Sequence, residues 1–316
     1  MPTPSSPLSP GPKSDRRRGA RRVSLVEALI ERAIQVTGLS AVVLVILIFI
    51  FLIREGVPAL LQVPLAELAR VRWYPIEEYY GLLPLIAGSL VITVGAAAIS
   101  LPLGVATAIF IAEIVPDWMR EILKPVVEVL AGIPSVVIGF MGMLVIAPLF
   151  RTALGIPTGL TAFTGIVLLA WMALPTVVSV VEDVLDTVPK TYRDAGLALG
   201  MTRWQTIWRI VLPAGKSGIL TALMLGIGRA IGETMTVMMV TGNAPRMARH
   251  PLDIFLPIRT MTATIAAEMG EVAQGSTHYH VLFAVGLALF VITFAVNLAA
   301  AAVVFSGTER AERMLS

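Results

Sequence analysis

Six apolar runs constrain this chain more than any other feature. Residues 37–53, 83–112, 126–149, 160–181, 217–241 and 281–305 are each of the order of the ~20 residues that one bilayer crossing requires. A chain of 316 residues that is 56% hydrophobic and 14% charged carries more apolar surface than a soluble core of that size hides. Hydrocarbon offers backbone N–H and C=O groups no partners, so such runs satisfy them internally, as helices. The expectation is an all-α, polytopic membrane protein with six transmembrane helices, the second long enough to project beyond the lipid.

The charged residues orient these spans. The opening MPTPSSPLSPGPKSDRRRGARR is rich in Pro, Ser and Gly and then basic, a composition that buries too little to order itself. Residues 1–23 are therefore read as a disordered basic tail and residues 24–316 as one transmembrane domain. Ser24 and Glu27 have capping-box spacing, which predicts a short interfacial helix leading into the first span. About 35 residues precede that span, more than a cleavable signal peptide carries. Lys and Arg concentrate in the tail and in the loops on its side, so the positive-inside rule places both termini in the cytoplasm.

The outer segment 251–280 is half apolar but interrupted by Arg259, Glu268 and Glu271, and is expected to be interfacial or re-entrant. Its His278 and His280 have no third ligand beside them and read as surface-loop residues, not as a metal site. The absence of cysteine removes disulfides, thiolate metal sites and Cys nucleophiles. A net charge of +3, spread over the ends of apolar runs, argues against nucleic acid as a partner.

The most informative polar stretch is YRDAGLALGMTRWQTIWRIVLPAGKSG, in an inner loop of about 190–216. It reads as helix, stop, helix. Gly200 can take the left-handed conformation that ends the first helix, and Thr202 with Gln205 forms a capping box for the second. Trp204, Ile207, Trp208 and Val211 follow at i, i+3, i+4 and i+7, an apolar ridge that requires a groove. AGKSG is not a phosphate-binding loop, because Ile210 stands where such a loop has its first glycine. In GIGRAIG, Gly228 and Gly232 lie one turn apart, a small-residue face that admits a neighbouring helix.

The inner loop resembles the EAA motif of ABC-importer permeases, E-A-A-x3-G-x9-I-x-L-P, here Asp194-Ala195-Gly196, Gly200, Ile210 and Leu212-Pro213. Asp stands for Glu and Gly for Ala. The resemblance implies that the loop docks into a cleft on a cytoplasmic ATP-hydrolysing subunit. It extends over roughly residues 37–305. GLLPLIAGSLVITVGAAAISLPLG is similar to the start of the permease core, and GRAIGETMTVMMVTGN with IRTMTATIAAEMGEVAQGS is similar to the PstC-type subunit of phosphate importers. GRAxGET also occurs in the companion PstA-type subunit, so MTVMMVTGN and the long outer loop 54–82 decide for the PstC type.

The resemblance implies the ABC-importer permease fold in the bacterial inner membrane, among lipid. It also implies a homologous PstA-type subunit, two ATP-binding subunits and an extracytoplasmic phosphate-binding protein. The chain is expected to be non-catalytic and to hold no cofactor, ATP being bound by the partner subunit. The alternatives are the PstA-type subunit, a permease for another oxyanion and, remotely, an intramembrane transferase. The last is disfavoured because no His, Cys or second carboxylate lies within a turn of Arg229 and Glu233.

Arg229 and Glu233 lie in the fifth run, four residues apart and so on one face of a continuous helix. Charges at that depth usually face an interior or an aqueous path, and with Thr234 they are the candidate substrate path. The arginine fork matches two phosphate oxygens. Glu233 can accept a hydrogen bond from protonated phosphate, which sulfate cannot donate. The alternative role is a structural ion pair.

Overall fold

The computed structural model describes residues 14–248 and 250–313. The chain divides into two units, Met1–Arg54 and Glu55–Ser316. Helix α1, Ser14–Gln62, is continuous over 49 residues and supplies the described part of the first unit. It runs through Ser24 and Glu27, where a capped start was expected. Extending a helix costs less than nucleating one, and the arginines ahead of Ser24 are good helix formers. Of the expected tail, residues 14–23 are thus helical, and residues 1–13 lie outside the described residues.

The second unit opens with the end of α1, the short helix α2 (Leu65–Leu68) and a hairpin of β1 (Trp73–Tyr74) and β2 (Tyr79–Tyr80), with Trp73 opposite Tyr80. Then come α3 (Leu83–Ile109), prolonged by a π turn to Ile114, α4 (Asp117–Ala131), α5 (Ser135–Met141) and α6 (Ala147–Leu154). The chain continues through α7 (Ala162–Thr187), α8 (Lys190–Ala198), α9 (Arg203–Thr206), α10 (Leu212–Ala214) and α11 (Lys216–Gly232). Helices α12 (Met235–Val240), α13 (Met261–Glu268) and α14 (Thr277–Arg313) complete it.

Among the described residues, five helices are long and apolar enough to cross a membrane: Glu27–Gln62, Leu83–Ile114, Ser135–Leu154, Ala162–Thr187 and Thr277–Ala299. The bent pair Arg203–Ala214 with Lys216–Gly232, at 74°, brings the number to six if it is counted as one span. The expected runs differ in two places. Run 126–149 is not one helix: α4 stops at Gly132 and α5 begins after Pro134, whose missing N–H and fixed φ end one helix and start the next. Run 217–241 breaks at Glu233–Thr234 between α11 and α12. Segment 251–280 forms no spanning helix. It is a short 3-10 turn, a bridge of Ile258 to Gly242, and α13, whose first turn, Met261–Thr264, is buried.

Helix α11 packs on α7 through small residues other than Gly228 and Gly232. Gly218, Ala222, Gly226 and Ala230 repeat every fourth position, and a Cβ on Gly218 or Gly226 would lie 2.6 or 2.5 Å from Val184 or Val177. Nothing lies within 4 Å of a Cβ placed on Gly228 or Gly232, which occupy another side of the helix. On α3, a Cβ at Gly88 would come 2.2 Å from the Arg259 carbonyl oxygen. We expect Gly88→Ala to cost about 1–3 kcal/mol, because backbone cannot retreat as a side-chain end can. A lower thermal midpoint of the detergent-purified protein is the readout, and an unchanged midpoint would contradict this seating.

His278 and His280 are not surface-loop residues. His278 Nε2 is 2.8 Å from Glu268 Oε2, and His280 Nδ1 is 2.9 Å from the Glu55 carbonyl oxygen. Glu268 Oε1 also accepts from Arg259 (2.6 Å) and from Trp73 Nε1 (3.2 Å), tying the hairpin, the segment before α13 and α14 together. Burial pushes the Glu268 carboxyl up, but the hydrogen bond from His278, the Arg259 charge and the Trp73 N–H hold it below its ordinary value. A lowered folded pKa stabilises fully above the ordinary carboxylate value and is lost as pH falls through the folded one. Hydrogen exchange in 73–80 and 261–268, taken relative to the intrinsic amide rate at each pH, is therefore expected to accelerate on acidification below about pH 4, more in the unsubstituted chain than in Glu268→Gln. Equal acceleration in both would contradict it.

Candidate functional site

The break between α11 and α12 separates the two charges that were expected to share a face. Glu233 has φ −67° and ψ 126°, an extended residue after the helix end at Gly232, and Thr234 (φ −116°, ψ −55°) precedes α12. No ion pair joins Arg229 and Glu233 among the described residues. Arg229 instead donates from Nη1 to Thr176 Oγ1 on α7 at 2.6 Å, and from Nη2 to the Ala131 carbonyl at the end of α4 at 3.5 Å. Glu233 Oε1 accepts the Thr236 N–H at 3.2 Å, closing the first turn of α12, while its carbonyl accepts from Thr262 Oγ1 at 3.1 Å. Thr234 Oγ1 donates to the Gly232 carbonyl at 3.1 Å.

The two helix breaks meet. Thr236 Oγ1 donates to the Ser135 carbonyl at 2.8 Å, and a Cβ on Gly139 would sit 2.9 Å from Thr236 Cα. Half-buried Arg229, Glu233 and Thr234 therefore flank irregular backbone where two spans are interrupted together. Such backbone persists at membrane depth only where protein buries it or where it lines a cavity.

The inner loop follows its local chemistry closely. Gly200 has φ +82° after α8. Thr202 Oγ1 accepts the Gln205 N–H at 3.2 Å, and Gln205 Oε1 accepts the Thr202 N–H at 2.9 Å. The single ridge does not form. Ile207 and Val211 are buried among Val181 and Leu185 of α7, whereas Trp204 and Trp208 are 56% and 54% exposed, ring to ring at 5.7 Å. Residues 207–211 form a π turn, whose wider winding rotates the i, i+3, i+4 rows apart. Asp194 and Ala195 are exposed on α8, Gly196 is buried, Ile210 and Leu212 are half-buried, and Pro213 is exposed in α10.

The profile described as "Binding-protein-dependent transport system inner membrane component" matches residues 100–306. The chain belongs to this permease family. A Mesorhizobium japonicum protein named phosphate transport system permease protein PstC is 35% identical over 90% of this permease and 92% of its own length. The Bacillus subtilis probable ABC transporter permease protein YqgH is 39% identical over 73% of this permease and 74% of its own length. The fold is similar to a chain of a bacterial alginate importer, with TM-score 0.57, 16% identity and coverage of 93% and 99%. It is also similar to a chain of the MetNI methionine transporter, with TM-score 0.54, 19% identity and coverage of 74% and 99%.

Within the permease the family match spans both the inner loop and residues 229–234. At Gly196, where the motif has alanine, a Cβ would meet Ile210 Cδ1 at 2.8 Å and Thr206 Oγ1 at 3.0 Å. Sequence reasoning missed Thr176, Ala131, Ser135, Thr236 and Thr262. Pro134, inside what was read as one span, was the available signal for the first break. Gly196→Ala is expected to be tolerated, because the end of the Ile210 side chain can move. Gly196→Leu is expected to cost about 1–3 kcal/mol and to part α8 from α9. Faster proteolysis of the loop in the leucine variant alone checks this, and equal rates would contradict it.

Proposed function

We propose that this permease is the PstC-type subunit of an ATP-driven phosphate importer in the bacterial inner membrane, with both termini cytoplasmic. The carrying observation is Arg229: a half-buried guanidinium set at two coincident helix breaks, in a chain similar to a PstC protein over nine-tenths of its length. A planar fork suits the oxygens of a tetrahedral anion. Glu233, turned by the break and fixed through Oε1, offers an acceptor for the remaining proton of phosphate. One arginine under-compensates a divalent ion, so a homologous PstA-type subunit completes the site from across the path.

The exposed Trp204 and Trp208, with Asp194 and Ala195, form the surface for an ATP-binding subunit, one copy on each permease. An extracytoplasmic phosphate-binding protein loads the complex. ATP is bound and hydrolysed by the separate subunits, whose closure moves the loops and switches the path between outward and inward access. Purified complex is expected to hydrolyse ATP faster when phosphate-loaded binding protein is added. Stimulation by a protein loaded with a different solute, and none by the phosphate form, would overturn the assignment.

A further inference from the structure

We infer that Arg193 is the positioning residue that carries movement of the inner loop to Arg229; this rests on the coupling role proposed above. Arg193 lies on α8 directly before Asp194. Its Nε is 3.1 Å from both oxygens of Glu113, and Nη2 is 2.6 Å from Glu113 Oε1. Nη1 donates to the Val188 carbonyl at 2.6 Å and Nη2 to the Leu185 carbonyl at 2.8 Å. The Leu185 carbonyl belongs to the last turn of α7, the negative end of the helix, where a guanidinium is well placed, and Val188 is the extended residue that follows that end. Glu113 lies in the π turn that ends α3, and its side chain is 8% exposed. One planar group therefore fastens the loop helix to the ends of two long helices.

The connection continues to the anion site through rigid elements. Thr176, which holds Arg229, lies on the same α7, roughly 13 Å up the helix from Leu185 at 1.5 Å per residue. The second holder, the Ala131 carbonyl, ends α4. Helix α4 is tied to the lower part of α7 by charge: Arg120 to Glu182 at 2.5 Å and to Asp186, and Lys124 to Glu182 at 2.7 Å and to Asp183 at 2.8 Å. Both groups that position Arg229 thus belong to a pair of helices locked to each other, and Arg193 joins that pair to the loop. Packed helices shift as units, so a displacement of α8 reaches Thr176 and Ala131 together. Trp204 and Trp208 lie beyond α8, outside this link, so weakening it leaves the tryptophan part of the ATPase contact in place while the loop is disconnected from α7 and α3.

The chain has no cysteine, so a thiol introduced here is its only one, and labelling read on this chain's own band reports the path. In complex carrying Gly232→Cys, maleimide labelling is expected to change when the ATPases are trapped with vanadate. Adding Arg193→Gln should abolish that change and lower phosphate uptake about tenfold, while the ATPase still copurifies and traps vanadate. Glu113→Gln, which leaves the two carbonyl bonds of Arg193 in place, should give a smaller loss, about threefold. Uptake and a labelling change in Arg193→Gln equal to the unsubstituted complex would overturn the inference. So would loss of the ATPase from both variants, which would make the clamp only a fold-holding contact. Absence of phosphate uptake and of any labelling change in the Arg193-bearing complex would instead count against the importer assignment itself.

Discussion

Arg229→Ala is expected to lower phosphate uptake roughly 30-fold or more, about 2 kcal/mol for a lost charged hydrogen bond, with the complex still assembled. Assembly survives because Arg229 is half-buried and not half of an internal ion pair, so its removal strands no partner carboxylate. Arg229→Lys should restore little, since a point charge cannot present two donors to two oxygens while keeping Thr176. Glu233→Gln keeps an oxygen for the Thr236 N–H, so α12 should hold. The new amide donates toward the anion, and discrimination against sulfate should relax. The double variant Arg229→Met, Glu233→Met tests the alternative. A structural pair would be replaced without loss, whereas here uptake stays absent. Near-normal uptake in the double variant would contradict the assignment.

Trp204→Asp is expected to release the ATPase while leaving the permease folded. The ring is more than half exposed and contributes no core contact, so the substitution buries no charge in the chain itself. A charge in an apolar docking surface costs the contact about 2 kcal/mol or more, the range of an interface hot spot. Val211→Asp provides the contrast: that side chain is fully buried against α7 and its variant should fail to accumulate. Copurification of the ATPase at normal yield with Trp204→Asp would show that the tryptophans face lipid or another subunit.

What was legible in the sequence was what short-range chemistry controls. Apolar length located the spans, because lipid leaves the backbone no alternative to helix. The Gly200 stop and the Thr202–Gln205 box were legible because a cap is decided within four residues. The errors arose where a helix departs from 3.6 residues per turn. The π turn at 207–211 turned two of the four ridge residues inward, and no periodicity count anticipates an inserted residue. The break at Glu233–Thr234 carries no proline. It is held by groups distant in sequence, Thr262 on the Glu233 carbonyl and Ser135 on Thr236, and so is a tertiary result. The break at Pro134 was readable, and its cost was hidden by the apolar residues on both sides. The small-residue contact with α7 uses Gly218 and Gly226, a spacing the sequence also carried, while Gly228 and Gly232 face open space.

Uptake of radiolabelled phosphate into liposomes holding the purified complex, with ATP inside and loaded binding protein outside, tests the account most directly. Accumulation that requires ATP, rejects sulfate and falls roughly 30-fold or more with Arg229→Ala is the predicted result. Unaltered accumulation in the Arg229→Ala complex, or equal transport of sulfate by the unsubstituted one, would contradict it.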